Sequence, residues 1–376
     1  MKGCRIRVAL VSYDFGEYCI RHANALQRGG PVMLILPEQL ADPHASLIES
    51  DVDFRPFDRP RLRQPLRQWV SVRWILRQIT DFQPDVIHFQ RGHLWFNFAL
   101  PFLNRYPLVL TIHDPRHHLG DRGSRNTPQW VMDFGHRRAD RIIVHAEQIK
   151  QILVDEDGIA DDRVHVIPHV AIGNPPRPLD GREQPNLILF FGRIWEYKGL
   201  EYLIRAQPLI NAKVPEARIV IAGQGEEFRR YERMMVDRDR FIVHNRHIPD
   251  DERRRLFQQA SVVVLPYVEA TQSGVVPVAF TYEKPVVATN TGGLPEAVEH
   301  GETGLLVPPR DERALATAII RLLKDERLRR RMGVAGKRQL YAKCSPEMVA
   351  RQTAEVYREA IRTRNVGSRP GLRMRA

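Results

Sequence analysis

Short, mainly apolar strand-like runs recur along the chain at 5–11, 32–36, 84–89, 108–112 and 141–144, and again at 186–191, 218–222, 241–243, 261–265 and 285–289. Short stretches at 54–57 and 164–168 read as further strands. Polar loops and helix-length segments separate them. Helices are predicted at about 17–28, 66–80, 129–138 and up to 154, then from 200, at 314–323, 326–340 and 347–361. Strand, polar loop, helix and strand again is the grammar of a parallel sheet, whose strands are buried on both faces and whose loops carry the site. In the helix at 66–80, Leu66, Val70, Trp74 and Arg77 recur at helical spacing, and Ile75, Leu76 and Ile79 thicken the apolar side.

The pattern pauses at 173–185, where Gly173, Pro175, Pro176, Pro178, Gly181 and Pro185 break regular structure. A chain of 376 residues is long for one core, so the pause reads as a linker between two domains. The expected division is a first domain at 1–175, a linker at 176–185, a second domain at 186–346, a final helix at 347–365 and a disordered tail at 366–376.

Composition narrows the setting. No apolar run is long enough to span a bilayer and the amino end has no signal-peptide core, which predicts a cytoplasmic protein. Cys4, Cys19 and Cys344 are too few and too scattered for a disulfide framework or a structural metal site, and Cys344 reads as a structural thiol. The net charge of +12 is unevenly placed. Residues 1–180 are nearly neutral, whereas 321–376 carry 16 Lys and Arg against 5 acids. Arg59, Arg61, Arg63, Arg67, Arg73 and Arg77 form a second cluster, with no acid between Asp58 and Asp81. Such patches concentrate anionic partners: nucleic acid, an anionic membrane face or a phosphorylated acceptor. DNA-reading motifs and aromatic single-strand platforms are missing, which disfavours nucleic acid. The helix at 66–80, with Trp69 and Trp74, is a candidate membrane-surface element or a peripheral lobe of the domain.

Candidate chemistry lies at strand ends. The stretch 266–311 sets Glu269 and the small polar residues Thr271, Gln272, Ser273 and Gly274 after one strand, and Gly292-Gly293 up to Glu296 after the next. Gly274 lets a helix amino terminus approach a ligand, and Glu269 is suited to accept hydrogen bonds from sugar hydroxyls. The plainer reading is an ordinary loop with a helix cap. Gly192, Arg193 and Lys198 follow the strand at 186–191, and Arg193 with Lys198 can grip one pyrophosphate; surface charge is the alternative. Gly223 ends another strand. In the first half, His88, Gln90, Arg91 and His93 gather at one strand end and His113-Asp114-Pro115 at the next. His113, Asp114, His117 and His118 lack the helical spacing of a zinc site, and Pro115 interrupts them. Gly16, alone after the first strand, serves either ligand approach or a plain turn; GxGxxG is absent. Residues 119–128 read as a polar loop, either an acceptor-side lid or simply solvent-facing.

In order, FGRIWEYKG within 190–199, AGQGEE at 222–227, YVEATQSG at 267–274, PVVATNTGGLPE at 285–296 and GETGLLVPPRD at 301–311 resemble the retaining glycosyltransferases of family 4, as does HDP at 113–115. The resemblance covers nearly the whole chain. It implies an α/β, GT-B architecture: two Rossmann-like parallel-sheet domains facing a central cleft, with the acceptor on the first, a nucleotide-sugar donor on the second, and the final helix crossing back. It assigns Arg193 and Lys198 to the donor diphosphate and Glu269 to the transferred sugar. Thr271, Gln272, Ser273 and Gly274 would donate to sugar or diphosphate, His113 would face the sugar and departing phosphate, and Gly16 would sit near phosphate and acceptor. Gly192 and Gly223 belong to the donor site by the same resemblance. A second carboxylate common eight positions after the first is here Pro277, and Glu283 cannot be assumed to replace it.

The resulting expectation is a hexosyltransferase acting with retention, without cofactor or metal. The donor is a nucleotide sugar, UDP before GDP or ADP, and the acceptor a hydroxyl on a glycan, a lipid-linked carrier or a small molecule. The basic patches point to an anionic membrane face. Competing readings are another nucleotide-sugar enzyme such as an epimerase, and a binding or scaffold protein, for which Pro277 speaks.

Overall fold

The structure is a computed structural model and describes residues 5–90, 92–117, 127–173, 182–225 and 228–367. Arg91, His118, most of the 119–128 loop, the 174–181 part of the linker and the 368–376 tail lie outside the described residues.

Contacts divide the chain into two units. The first holds Met1–Arg116, Gly123–Val170 and Ser345–Ala376, and the second His117–Arg122 and Ala171–Cys344. The crossover points differ by a few residues from the expected 175 and 346. Ala171 N–H donates to the Cys344 carbonyl at 2.7 Å, which ties both chain crossings into the second unit.

In the first unit the strands are β1 Val8–Ser12, β2 Val32–Pro37, β3 Asp53–Phe57, β4 Val86–Gln90, β5 Leu108–Ile112, β6 Arg141–Val144 and β7 Val164–Val166. Its helices are α1 Gly16–Leu26, α2 Glu38–Ala41, α3 Pro65–Phe82, α4 Leu94–Asn97, α5 Gln129–Arg138 and α6 Glu147–Asp155. All strands are parallel, in the order β3-β2-β1-β4-β5-β6-β7. The order reverses between β1 and β4, the position where open α/β sheets bind ligands beyond their carboxyl ends.

In the second unit the strands are β8 Leu187–Phe191, β9 Arg218–Ala222, β10 Phe241–His244, β11 Val262–Leu265, β12 Val286–Thr289 and β13 Gly304–Val307. Its helices are α7 Leu200–Asn211, α8 Arg229–Glu232, α9 Asp250–Gln259, α10 Val275–Thr281, α11 Leu294–Ala297, α12 Glu312–Lys324 and α13 Glu326–Cys344. The sheet is parallel throughout, in the order β10-β9-β8-β11-β12-β13, and reverses between β8 and β11. Alternate strand residues feed two cores: Ile188 and Phe190 join α7 and α12, whereas Leu187 and Leu189 join α9 and α10. That two-faced burial is why these strands read as continuous apolar runs.

The last helix, α14 Pro346–Gly367, returns to the first unit and packs on α1, β4, β5 and β6. It runs two residues into the segment expected as tail. Among the described residues no helix is long and apolar enough to cross a membrane.

One sequence expectation is corrected in α3. Its core stripe is Gln68, Ser71, Val72, Ile75 and Ile79. Leu66 is 81% exposed and Val70 60% exposed, so these two face away from the core, whereas Trp74 is half-buried and packs against it. Two buried polar residues replace part of the apolar signal on the inner face. Gln68 fits there because its amide donates to the Pro60 carbonyl at 2.8 Å.

Candidate functional site

The carboxyl ends of β8 and β11 flank the reversal in the second sheet, and the chain leaving each strand is shaped by glycine. Gly192 ends β8 with φ 117°, and its N–H donates to the Ala222 carbonyl at 2.9 Å. The 193–198 loop then closes in a short 3-10 turn, Glu196–Lys198, and Gly199 follows in the left-handed region at φ 62°. A Cβ at Gly199 would lie on the Pro266 carbonyl oxygen, so glycine is what lets the β8 loop sit against the β11 exit.

That seating brings the two candidate segments together through two tyrosines. The Tyr197 carbonyl accepts the N–H groups of Val268 at 2.8 Å and Glu269 at 3.4 Å. Lys198 Nζ stands 3.7 Å from the Tyr267 ring centre and 4.9 Å from that of Tyr197, a cation–π cradle that holds a largely buried ammonium. Arg193 Nη2 lies 3.4 Å from the Tyr197 hydroxyl, while the Arg193 side chain is exposed, as is Glu269. Burial pushes the Tyr267 hydroxyl well above the usual tyrosine range, with its Ser273 hydrogen bond opposing, so Tyr267 stays neutral beneath the lysine.

The Glu269–Gly274 loop is held on its other side by β12. Gly293 N–H donates to the Thr271 carbonyl at 3.1 Å, and Thr289 Oγ1 donates to the Tyr267 carbonyl at 2.6 Å. Gly292 has φ 57°, and a Cβ there would collide with the Ala270 carbonyl. Ser273 Oγ accepts the Val275 N–H at 3.2 Å and lies 3.3 Å from the Tyr267 hydroxyl, which fixes the start of α10 after Gly274. Pro277 is the third residue of α10. The first N–H groups of a helix have no intrahelical partner, so proline there breaks no bond. Glu283 is engaged by Lys337 Nζ at 2.7 Å on α13.

Gly223 also has a positive φ, 146°, and a Cβ there would meet the Gly192 carbonyl; the two strand exits run side by side for lack of side chains. Gly16, in contrast, begins α1 beneath the Leu40 carbonyl, so the structure supplies a packing reason for that glycine.

His113, at the end of β5, is 1% exposed. Its Nε2 lies 3.1 Å from Gln90 Oε1, and its ring stacks on Phe15 at 3.9 Å. Gln90 continues to His88, Nε2 to Nε2 at 3.2 Å, and His88 reaches Thr111 Oγ1 at 2.7 Å. Around Tyr18 are the rings of His22, His113, His145 and His169. Burial, then neighbouring His169, lowers His22 and His145 to about 3; burial lowers His169 to about 4. His93 stacks on Tyr13 at 3.8 Å.

Among the described residues of the first unit, Asp133, His136 and Asp157 bring metal-type ligand atoms within 4.8 Å of one another. The Arg116 guanidinium already occupies that group, with Nη1 3.1 Å from Asp157 Oδ2. Gln129 Nε2 joins it to the β5 exit, donating to the Pro115 carbonyl and to Asp133 Oδ1, each at 2.8 Å.

Of the two tyrosines and the histidines around Tyr18, only His113 is singled out by the sequence. Tyr197 and Tyr267 sit inside the motifs already quoted, one residue from Lys198 and two from Glu269, and that adjacency was the available signal. His22, His145 and His169 carry no local signal, since only the fold gathers them.

Comparison with known proteins gives a consistent answer for both units. A profile for Glycosyltransferase Family 4 matches residues 16–170, and one for Glycosyl transferases group 1 matches 185–325. An uncharacterized glycosyltransferase of Methanocaldococcus jannaschii is 32% identical over 187 residues, 49% of this chain and 48% of that relative. The chain thus matches about half the length of that relative. The alpha-D-kanosaminyltransferase of Streptomyces kanamyceticus is 27% identical over 321 residues, 77% of this chain and 82% of the relative. The crystal structure of Anabaena HepE in complex with UDP-glucose superposes with a TM-score of 0.73 at 17% identity, covering 94% of this chain and 100% of that one. Profiles over both units, and a fold shared across nearly the whole chain, make this protein a GT-B glycosyltransferase related to family 4 and the group 1 transferases.

Proposed function

We propose that the protein transfers a hexose from UDP to an acceptor hydroxyl with retention of anomeric configuration. The observation that carries this is the joint seating of Arg193, Lys198 and Glu269 by Tyr197 and Tyr267 at the sheet's reversal. Arg193 and Lys198 bind the diphosphate and stabilise the charge that grows as UDP departs. A neutral tyrosine face under Lys198 holds the ammonium without neutralising it. Glu269 accepts hydrogen bonds from hydroxyls of the transferred sugar, and Thr271, Gln272, Ser273 and Gly274 donate to sugar or diphosphate. Gly192 and Gly223 let the backbone come close to the donor. His113 hydrogen-bonds the transferred sugar and is not assigned a general-base role; Gly16 keeps the β1 loop near the acceptor.

The leaving phosphate takes the acceptor's proton, so no covalent protein nucleophile is needed. Positive charge for the reaction comes from Arg193 and Lys198. The UDP assignment is supported by the UDP-glucose-bound HepE relative in fold. The acceptor is proposed to be a lipid-linked glycan at an anionic membrane face, supported by the exposed Leu66, Trp69 and Val70 set among arginines on α3.

The test is calorimetric titration of the protein with UDP, GDP and ADP, repeated with Arg193→Ala. Selective UDP binding that weakens in the variant is expected. A folded protein that binds none of the three would move the reading to a scaffold, for which Pro277, standing where the family commonly carries a second carboxylate, would then be the reason.

A further inference from the structure

Leu66, Val70 and Trp74 repeat every fourth residue along α3; Leu66 and Val70 are exposed, and Trp74 is half-buried with part of its ring on the core. With Phe57 at the end of β3 and Pro60 beyond it, they line a groove of about 540 Å³. That is within the roughly 300–1,000 Å³ of small-molecule sites. Trp69 stands beside it, 58% exposed, with the Arg73 guanidinium 5.3 Å from its ring centre. A contiguous apolar surface of this kind, rimmed by charge, marks a binding face.

Asp58 and Arg67 line the groove as an ion pair, and arginines without such a partner adjoin its lining residues in the chain, Arg61 and Arg63 after Pro60 and Arg73 before Trp74. Arg61, Arg63 and Arg73 are exposed and have no acidic partner among the described residues. Arg67 on the groove wall shares Asp58 at 3.0 Å. The same loop is pinned to the carboxyl end of β1, because Arg59 Nη1 donates to the Tyr13 carbonyl at 2.6 Å and to Asp14 Oδ1 at 2.9 Å. The groove therefore opens beside the sheet edge where the first unit presents its loops. β3 is the edge strand, but Pro56 within it removes a ladder donor, which disfavours an extended peptide as occupant.

We propose that this groove holds the hydrocarbon chain of an anionic lipid, whose phosphate is met by Arg61 and Arg63. The proposal deepens, and rests on, the membrane-face acceptor reading above. Apolar walls take the methylenes, the arginines snorkel to the headgroup, and Leu66 and Trp69 enter the bilayer boundary beside it.

The test separates the groove from the membrane. Octyl, decyl and dodecyl phosphate are titrated into the protein below their aggregation concentrations, with inorganic phosphate as reference. Affinity is expected to rise two- to fourfold per added methylene, up to the fourfold that corresponds to about 0.8 kcal/mol each. Val70→Trp, which fills the groove, should remove that dependence and weaken dodecyl phosphate at least tenfold; Trp69→Ser, outside it, should keep the dependence. Affinity independent of chain length, inorganic phosphate binding as tightly as dodecyl phosphate, or the same rise in Val70→Trp would each overturn the groove assignment. Sedimentation with anionic vesicles tests the underlying reading separately. Vesicle binding without a chain-length series leaves docking standing and removes the groove; a series without vesicle binding does the reverse.

Discussion

His88 Nδ1 lies 2.6 Å from the Tyr357 hydroxyl, so the last helix of the chain is joined by a buried hydrogen bond to the central strands of the first sheet. Both groups are fully enclosed, and His88 is also bonded to Thr111 and Gln90. Arg364 reinforces the same docking through Asp140 at 2.8 Å. Tyr357→Phe keeps the ring and leaves His88 Nδ1 unpaired. Urea unfolding is expected to show a loss of about 1–3 kcal/mol, the cost of a buried polar atom without its partner. An unchanged midpoint would mean that helix docking does not depend on this bond.

Lys198→Ala should leave the fold intact and weaken UDP binding about 10- to 100-fold, the range of one or two charge-assisted hydrogen bonds. Lys198→Arg should not restore it. The slot between Tyr197 and Tyr267 fits a compact ammonium, and a planar guanidinium needs a different seat. Calorimetry with UDP reads both variants, and full rescue by arginine would argue against the tyrosine cradle as the determinant.

Glu269→Gln probes the sugar rather than the nucleotide. The side chain is exposed and its backbone is fixed by Tyr197, so an isosteric amide should not disturb the loop. UDP affinity is expected to stay within about twofold, whereas transfer should fall by about 10²-fold, as for the loss of one preorganised transition-state contact. Radiolabelled sugar incorporation measures the second quantity. Equal losses in both would place Glu269 on the nucleotide instead.

The strands and the motifs of the candidate site were legible in the sequence because each is a local pattern. A strand buried on both faces is a short apolar run, and Arg193, Lys198 and Glu269 lie in loops directly after such runs. What was not legible depends on partners distant in sequence. The inner face of α3 was misread because Gln68 and Ser71 are buried while Leu66 and Val70 are not. The aromatic cradle joins residues 70 positions apart, and Tyr357 meets His88 across 269 positions. No periodicity reports either pairing.

Glu183, at the start of the second unit, predicts a stability effect remote from the site. It receives Arg329 Nη2 at 2.8 Å and Lys284 Nζ at 3.3 Å, both cations being largely buried. Burial alone would raise its carboxyl; Lys284 and Arg329 outweigh that and hold it below its ordinary value. Glu183→Ala leaves two buried cations without their counter-ion and should cost about 3 kcal/mol in chemical denaturation. Thermal melts and UDP titrations on the same sample would separate this from a site effect, since UDP affinity should not change below the melting temperature.

The buried histidines set the acid limit of the first unit. His22 and His145 are held to about 3 and His169 to about 4, chiefly by burial, with Tyr18, Glu17 and Asp114 as their other polar neighbours. In the unfolded chain each titrates near 6.5. A base whose folded pKa is depressed is neutral in the native state while the unfolded state takes up its proton. Its stabilising contribution is thus intact above about pH 6.5 and is lost as pH falls from there toward 4. Each such histidine contributes a slope of about 1.4 kcal/mol per pH unit in that window. Urea midpoints measured between pH 7.5 and 5 should fall steeply. His22→Leu should flatten the fall by about one histidine's worth, because both ring nitrogens of His22 lack a hydrogen-bond partner among the described residues and little bonding is removed. Above pH 7 the variant should differ little from the parent, and at pH 5 it should be the more stable of the two. Identical slopes would mean that His22 is already protonated, or exposed, in the native protein.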